Sequence, residues 1–547
     1  MSLFVDEQTR IDSFFSPISG YNDDIAMDRG NGQRMNRLRK PLFDALIRRL
    51  DRNPLSFHVP GHKNGRLFHA EPASPIEADD IFATYKTWFE MIMRLDVTEL
   101  SDTDDLHQPE GIIAEAQQLA AECFGAEETY FLVNGSTAGN LSMLLAACGP
   151  GDLVIMQRNV HKSVLNGLRL AGARAVFVMP ELEPRTGQMT VPRLDTLAEA
   201  LKRYPDAKAV FLSSPNYYGA AVDLRPYAEA AHMHRIPLLV DEAHGAHYGF
   251  HRAFPTNAMQ AGADVVVQSA HKTLPALTMG AMLHVQGSRL DRGLLKKALS
   301  AVQSSSPSYP IMASLDIARA MVDRYGESLF RDGLEAAKIF REWISGQDSA
   351  LEVVEADGGS GYKQDPLRVV LRDGSGTVPG YTLQRELESR GCWPELADER
   401  HVVLLFGAFT TPADVERLIQ ACASIVQDCR IPERNESKEK DREPDRNRTV
   451  WYSDDEAISL PVSFQFHMKT RQKVKTVVLH QATGYESAET IIPYPPGIPL
   501  LYEGERITPA IVERLDTLSR HRARCQGASD PTLRTINVFD RSVSSGS

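Results

Sequence analysis

Lys272, in SAHKT (269–273), and Asp241, at the head of DEAHGAH (241–247), are an amine and a carboxylate that each follow an apolar run. The letters D-E-A-H also spell the Mg-ATP signature of a helicase class. That chemistry needs a phosphate-cradling G-x-x-x-x-G-K-[ST] loop upstream. No Gly-Lys pair occurs in the chain, so Asp241 and Glu242 have no nucleotide to serve. His244 and His247 could share a metal on one helical turn. The H-E-x-x-H arrangement is absent, and solvated or packing histidines are the expectation, with no metal site.

A lone lysine is usually a solvated surface charge. After a buried strand and near other cations, its pKa falls and the amine becomes a nucleophile. Other apolar runs end in residues of matching chemistry: NGSTAGN (134–140), QRNVHKS (157–163) and SPNYYG (214–219). The small residues of NGSTAGN let backbone N–H groups approach an anion, and Ser136 and Thr137 add hydroxyl donors. Alone that pattern is more often a helix cap. An aldehyde-capturing lysine, an anion site and a strand-end carboxylate together fit pyridoxal 5'-phosphate, with Asp241 on the pyridine nitrogen. His161 could stack on the ring, and His244 could touch the cofactor near Lys272.

The elements that place these residues read as alternating strands and helices. Apolar runs occur at 129–133, 152–156, 175–179, 209–213, 237–241 and 264–269, separated by helix-like segments. Continuous Val/Leu/Ile/Phe runs suit parallel strands covered on both faces. The fold class is therefore α/β with a mostly parallel sheet, whose ligands bind at the carboxyl ends of the strands. The expected division is an extension (1–34), a large domain with an N-terminal arm (35–325) and a small α+β domain (326–428). A charged linker (429–449), a C-terminal domain (450–526) and a tail (527–547) follow.

Bulk composition narrows the partners. The 547 residues carry a net charge of −12, which argues against a dedicated nucleic-acid binder. No apolar run reaches the ~18 residues of a membrane span, and the N-terminus lacks the pattern of a secretory signal. Six dispersed cysteines without C-x-x-C spacing fit small core residues in a reducing cytoplasm.

The sequence resembles the bacterial ornithine/lysine/arginine decarboxylases. The resemblance is carried by FHVPGHKNG, DVTELSDTDDLHQPEGIIAEAQ, YFLVNGSTAGN, RNVHKSV, SPNYYG, VDEAHGAHYGF, VVQSAHKTLPALT, SSSPSYPIMASLD and PYPPGIPLL. It resembles the shorter form, without an N-terminal wing domain. It implies an aspartate-aminotransferase-like (fold type I) large domain and α-decarboxylation of lysine, arginine or ornithine to a diamine or agmatine. Lys272 would be the Schiff-base lysine, Asp241 the partner of the pyridine nitrogen, and His161 the ring-face residue. Ser136, Thr137, Ser269 and His271 would hold the phosphate, joined by Ser304 and Ser305 of the partner subunit in a homodimer. Asp102, Asp104 and Asp105 would line the substrate entrance, and Glu395 would meet the distal cation. For each of these four carboxylates, a solvated loop charge is an equal expectation. Met279 replaces a usual Gln, and YEGE (502–505) replaces PGE. The alternatives are another pyridoxal-phosphate reaction on the same scaffold, or a non-catalytic relative.

Overall fold

The computed structural model describes residues 38–66, 80–183, 186–355, 361–433, 457–464, 473–493 and 497–540. The expected extension (1–34) and the charged stretch from 434 lie outside the described residues.

In chain order, α1 (Pro41–Asp51), α2 (Asp80–Leu95) and α3 (Ile112–Phe124) lead into β1 (Glu128–Leu132). Next come α4 (Gly135–Ala147), β2 (Leu153–Gln157), α5 (Lys162–Ala171), β3 (Arg174–Val178), β4 (Pro180–Leu182) and β5 (Met189–Pro192). They are followed by α6 (Leu194–Arg203), β6 (Ala209–Ser213), β7 (Ala220–Val222), α7 (Arg225–Met233), β8 (Leu238–Asp241) and β9 (Val265–Gln268). The single turn α8 (Ala270–Thr273), β10 (Ala281–Val285), α9 (Arg292–Val302) and α10 (Tyr309–Tyr325) complete this half. Beyond it lie α11 (Arg331–Ser345), β11 (Leu351–Val354), β12 (Tyr362–Gln364), β13 (Arg368–Asp373) and α12 (Gly380–Ser389). Then come β14 (Leu396–Ala397), β15 (His401–Leu405) and α13 (Pro412–Asp428). The last elements are β16 (Val462–Ser463), β17 (Lys473–Val478), β18 (Ile492–Pro493), α14 (Pro509–Arg520), β19 (Cys525–Gln526) and β20 (Thr535–Asp540).

The main sheet has the order β1-β10-β9-β8-β6-β2-β3-β16. Strands β9, β8, β6, β2 and β3 run parallel, while β10 is antiparallel to both neighbours. Helix crossovers cover both faces, so β2, β8, β9 and β10 are buried along their whole length. The mostly parallel α/β sheet read from the apolar runs is present. A second sheet, β11-β13-β15-β14, is antiparallel.

Two local features set the geometry around the strand ends. A Cβ added at Gly139 would stand 2.4 Å from Val267 Cγ2, so only glycine lets α4 lie this close to β9. Helix α1 has no capping side chain of its own, and Asp316 of α10 accepts from the N–H groups of Leu42 (3.0 Å) and Phe43 (3.3 Å). Arg319 neutralises that buried carboxylate at 2.7 Å.

The carboxyl-terminal region departs from expectation twice. Residues 535–540, read as part of a tail, form β20, which pairs with β17 along its full length. The alternation in TINVFD buries Ile536 and Val538 in a separate core with Leu479, Leu501 and Leu515. The segment around β16 adds an edge strand to the main sheet, with Phe464 packed on Phe177 and Tyr502. No described helix is long and apolar enough to cross a membrane.

Candidate active site

β8 and β9 are parallel neighbours, so Asp241 at the end of β8 and Lys272 in the turn after β9 emerge at the same edge of the sheet, close enough for Asp241 to act on the Lys272 amine. Asp241 ends β8, nearly buried. Its Oδ2 accepts from Asn140 Nδ2 (2.8 Å) and its Oδ1 from the N–H of Ala243 (3.1 Å). Asn140 also donates to Ser163 Oγ (3.0 Å), which leaves the Ser163 hydroxyl to donate to His161 Nδ1 (2.8 Å). The Ser163 N–H reaches the same nitrogen at 3.2 Å. With Nδ1 accepting twice, a neutral His161 carries its proton on Nε2. Burial pushes the ring's pKa down to about 4; Asp241 opposes this and Lys272 adds to it. His161 is thus a neutral, oriented ring at physiological pH.

Lys272 lies on the turn that follows β9. Burial lowers its amine to about 8; Asp241 and Glu395 oppose the shift and Arg368 adds to it. Its Nζ is 2.8 Å from His244 Nε2 and 6.0 Å from the ring centroid of Tyr217. His244 in turn has its Nδ1 2.8 Å from Arg368 Nη2, with the guanidinium fully buried. Arg368 Nε and Nη1 have no hydrogen-bond partner among the described residues. The two histidines of DEAHGAH therefore diverge. His244 faces Lys272, while His247 Nε2 lies 3.0 Å from Asp365 Oδ2 with both side chains fully buried.

Ser269, between β9 and Lys272, is fully buried, and its Oγ has no hydrogen-bond partner among the described residues. Such a group is costly unless something else satisfies it. Ser136 and Thr137 occupy the first turn of α4, where Gly135 (φ +73°) turns the chain and donates its N–H to the Met279 carbonyl (2.9 Å). His271 holds the Gly280 carbonyl through Nδ1 (3.0 Å) and its own N–H (3.1 Å). An orphaned hydroxyl, a helix N-terminus and a buried carboxylate across from a depressed-pKa amine fit a phosphorylated pyridine aldehyde.

The acidic candidates separate. Glu395 is exposed just before β14 and close enough to oppose the burial-driven lowering of both Lys272 and His271. Asp104 is a helix cap. Its carboxylate accepts from the N–H groups of Asp105, Glu110, Gly111, Ile113 and Ala114 at 2.8–3.3 Å. Burial would raise its pKa, but these donors more than offset that and hold it below the usual value. Asp102 pairs with Arg49 (2.5 Å), and Asp105 Oδ1 accepts from the N–H of His107 (2.7 Å). Ser304 and Ser305 lie on an exposed loop, where the Ser304 carbonyl is 2.9 Å from His107 Nε2.

Sequence reading missed Asn140, Ser163 and Arg368. Asn140 closes NGSTAGN and Ser163 closes QRNVHKS, so both stood inside quoted motifs. Arg368 gave no local signal, because its partner His244 is 124 residues away.

This sheet, with β10 reversed inside it and the lysine and aspartate at adjacent strand ends, defines an aspartate-aminotransferase-like chain of fold type I. The chain belongs to the Orn/Lys/Arg decarboxylase family, whose major-domain model matches residues 40–413 and whose C-terminal-domain model matches residues 449–529. It is 41% identical to the uncharacterized protein YaaO of Bacillus subtilis, over 89% of this chain and 96% of that one. It is 32% identical to the arginine decarboxylase of Bacillus subtilis, over 92% and 99%. The lysine decarboxylase LdcF of Francisella novicida superposes with a TM-score of 0.72 at 19% identity, covering 92% of this chain and 82% of that one.

Proposed function

We propose that the protein is a pyridoxal 5'-phosphate-dependent decarboxylase of a basic amino acid, releasing CO₂ and a diamine or agmatine. The observation that carries this reading is the half-buried Lys272 amine, lowered to about 8, beside the nearly buried carboxylate of Asp241. Family membership and relatives named arginine and lysine decarboxylase support it. When bound, the cofactor supplies the electron sink for the bond to the departing carboxylate.

The chain's own residues do the rest. Lys272 provides the amine that holds the aldehyde. Asp241, oriented by Asn140, keeps a proton on the pyridine nitrogen. Neutral His161 would cover one face of the ring. Ser136, Thr137, Ser269 and His271 take the phosphate, with Ser304 and Ser305 of the partner subunit completing it in a cytoplasmic homodimer. Glu395 meets the distal cation of the substrate, where a guanidinium would use both carboxylate oxygens.

A second reading, transamination, is favoured by one observation. The unpartnered Nε and Nη1 of Arg368 could clamp an α-carboxylate that a decarboxylase must release. One assay decides between them. The purified protein is given lysine, arginine and ornithine separately, and CO₂, amine and 2-oxo acid are measured. CO₂ with a matching amine is expected from at least one; a 2-oxo acid without CO₂ would sink the decarboxylase reading. Borohydride should fix the cofactor to the wild-type chain and not to Lys272→Ala.

A further inference from the structure

We propose that Arg368, acting through His244, holds Lys272 in its free-amine form, so that a small-sheet arginine positions the proton of the nucleophile. The proposal rests on the reading of Lys272 as the aldehyde-binding amine, but its geometry stands apart from which reaction follows.

The argument is one of donors and acceptors. A guanidinium has five N–H donors, no acceptor and a permanent charge. Arg368 Nη2 is 2.8 Å from His244 Nδ1, so Nδ1 must present a lone pair. An imidazolium would set two N–H donors against each other there. The ring is therefore neutral, and its one proton sits on Nε2. Nε2 is 2.8 Å from Lys272 Nζ. An N–H facing that nitrogen needs an acceptor, and only an unprotonated amine has one.

The surroundings keep the relay dry. Arg368 is fully buried and His244 is 5% exposed. The edge of Tyr217, from the loop after β6, closes over the His244 ring with centroids 4.8 Å apart. The charged or titratable groups acting on Lys272 come from four places. Asp241 at the end of β8 and Glu395 before β14 favour its charged form, while Arg368 on β13 opposes it. His161, ahead of α5, is itself lowered by Lys272. Burial disfavours an imidazolium at His244 most, and Lys272, Arg368, His161 and His271 add to it. Burial is the largest influence against the charged amine; the two carboxylates oppose it and Arg368 adds to it.

The test uses the full-length chain, freed of cofactor with hydroxylamine. Acetylation of Lys272 by limiting acetic anhydride is followed against pH by mass spectrometry, which gives the midpoint for the free amine. ¹⁵N-histidine NMR, with His244→Gln to assign the signal, reads which ring nitrogen carries the proton. The wild type should show an unprotonated Nδ1. In Arg368→Met the ring can turn its lone pair on Nε2 toward Lys272. The proton should then appear on Nδ1, and Lys272 should need at least about tenfold less acid to stay charged, one unit in midpoint. Arg368→Lys, a donor-only cation, should restore both. A proton on Nδ1 in the wild type overturns the proposal. So does an Arg368→Met midpoint that stays put, or one that rises while the tautomer does not change, which would be charge repulsion alone. If Arg368→Met does not fold, the wild-type tautomer and the Arg368→Lys midpoint still decide. None of these readouts depends on turnover, so a failed decarboxylation assay would leave them interpretable.

Discussion

Arg158 Nη2 lies 2.8 Å from Glu505 Oε2, with the two side chains only 6% and 10% exposed. The same guanidinium donates to the Pro499 and Leu500 carbonyls and covers the Tyr502 ring at 4.6 Å. It ties the end of β2 to the carboxyl-terminal lobe, and the nearby Lys162 N–H donates to Gly497 of that lobe (3.1 Å). Removing one partner of a buried pair strands the other charge, at about 3–5 kcal/mol. Glu505→Ala should therefore lower the melting temperature and admit protease between the lobes. An unchanged digestion pattern would show that other contacts dock the lobe.

Glu242 has a different fate from its neighbour Asp241. Burial raises its pKa to about 8, against the donors Gln268 (2.6 Å) and Ala258 (2.8 Å). The folded chain thus holds a proton there that the unfolded chain has lost, and stability falls as pH rises from about 4.5 to 8. Glu242→Gln should flatten that slope, an effect on the order of a few kcal/mol across the window. Denaturant melts at pH 5 and pH 8 measure it. The amide is accommodated if Gln268 and His284 reverse their hydrogen bonds back to Thr129.

Lys272 has the opposite sign. Its folded value of about 8 lies below the ordinary 10.5. Between those values the unfolded chain binds more protons, so the cofactor-free protein should gain stability as pH rises from 8 toward 10. Lys272→Met should be more stable than wild type below pH 8 and lose that dependence. Parallel melts of the two chains over this range check it; identical curves would contradict the burial argument.

Asp104 is a stability residue. It stands at φ +69°, and its carboxylate collects N–H groups at the start of α3. Asp104→Ala should cost about 1–2 kcal/mol. The carboxyl is depressed on folding, so its contribution is present above pH ~4 and lost in acid. Asp104→Asn tolerates the left-handed backbone and should keep part of the stability while flattening the acid limb.

The strands were legible because runs such as DLVIM, PLLVD and DVVVQ are continuous and apolar, which only a doubly covered sheet explains. Their ends then located Asp241 and Lys272 without further help. Pairings across the fold were not legible, since nothing local to Arg368 or Asp365 announces His244 or His247. The capping role of Asp104 was not legible either: a carboxylate that caps a helix and one that awaits a cation look alike as letters. The short strand β20 was hidden by its place near the chain end, although TINVFD alternates as an edge hairpin should.

The segment 457–464 lays β16 along the outer edge of β3, with backbone bonds from Met179 to Ala457, Ser459 to Phe177 and Phe464 to Ala173. Without it, β3 would offer a row of unpaired N–H and C=O groups beside exposed apolar surface, a template for strand addition. The carboxyl-terminal region thus covers this edge of the main sheet, and a shortened chain that lacks residues 457–464 should self-associate more readily.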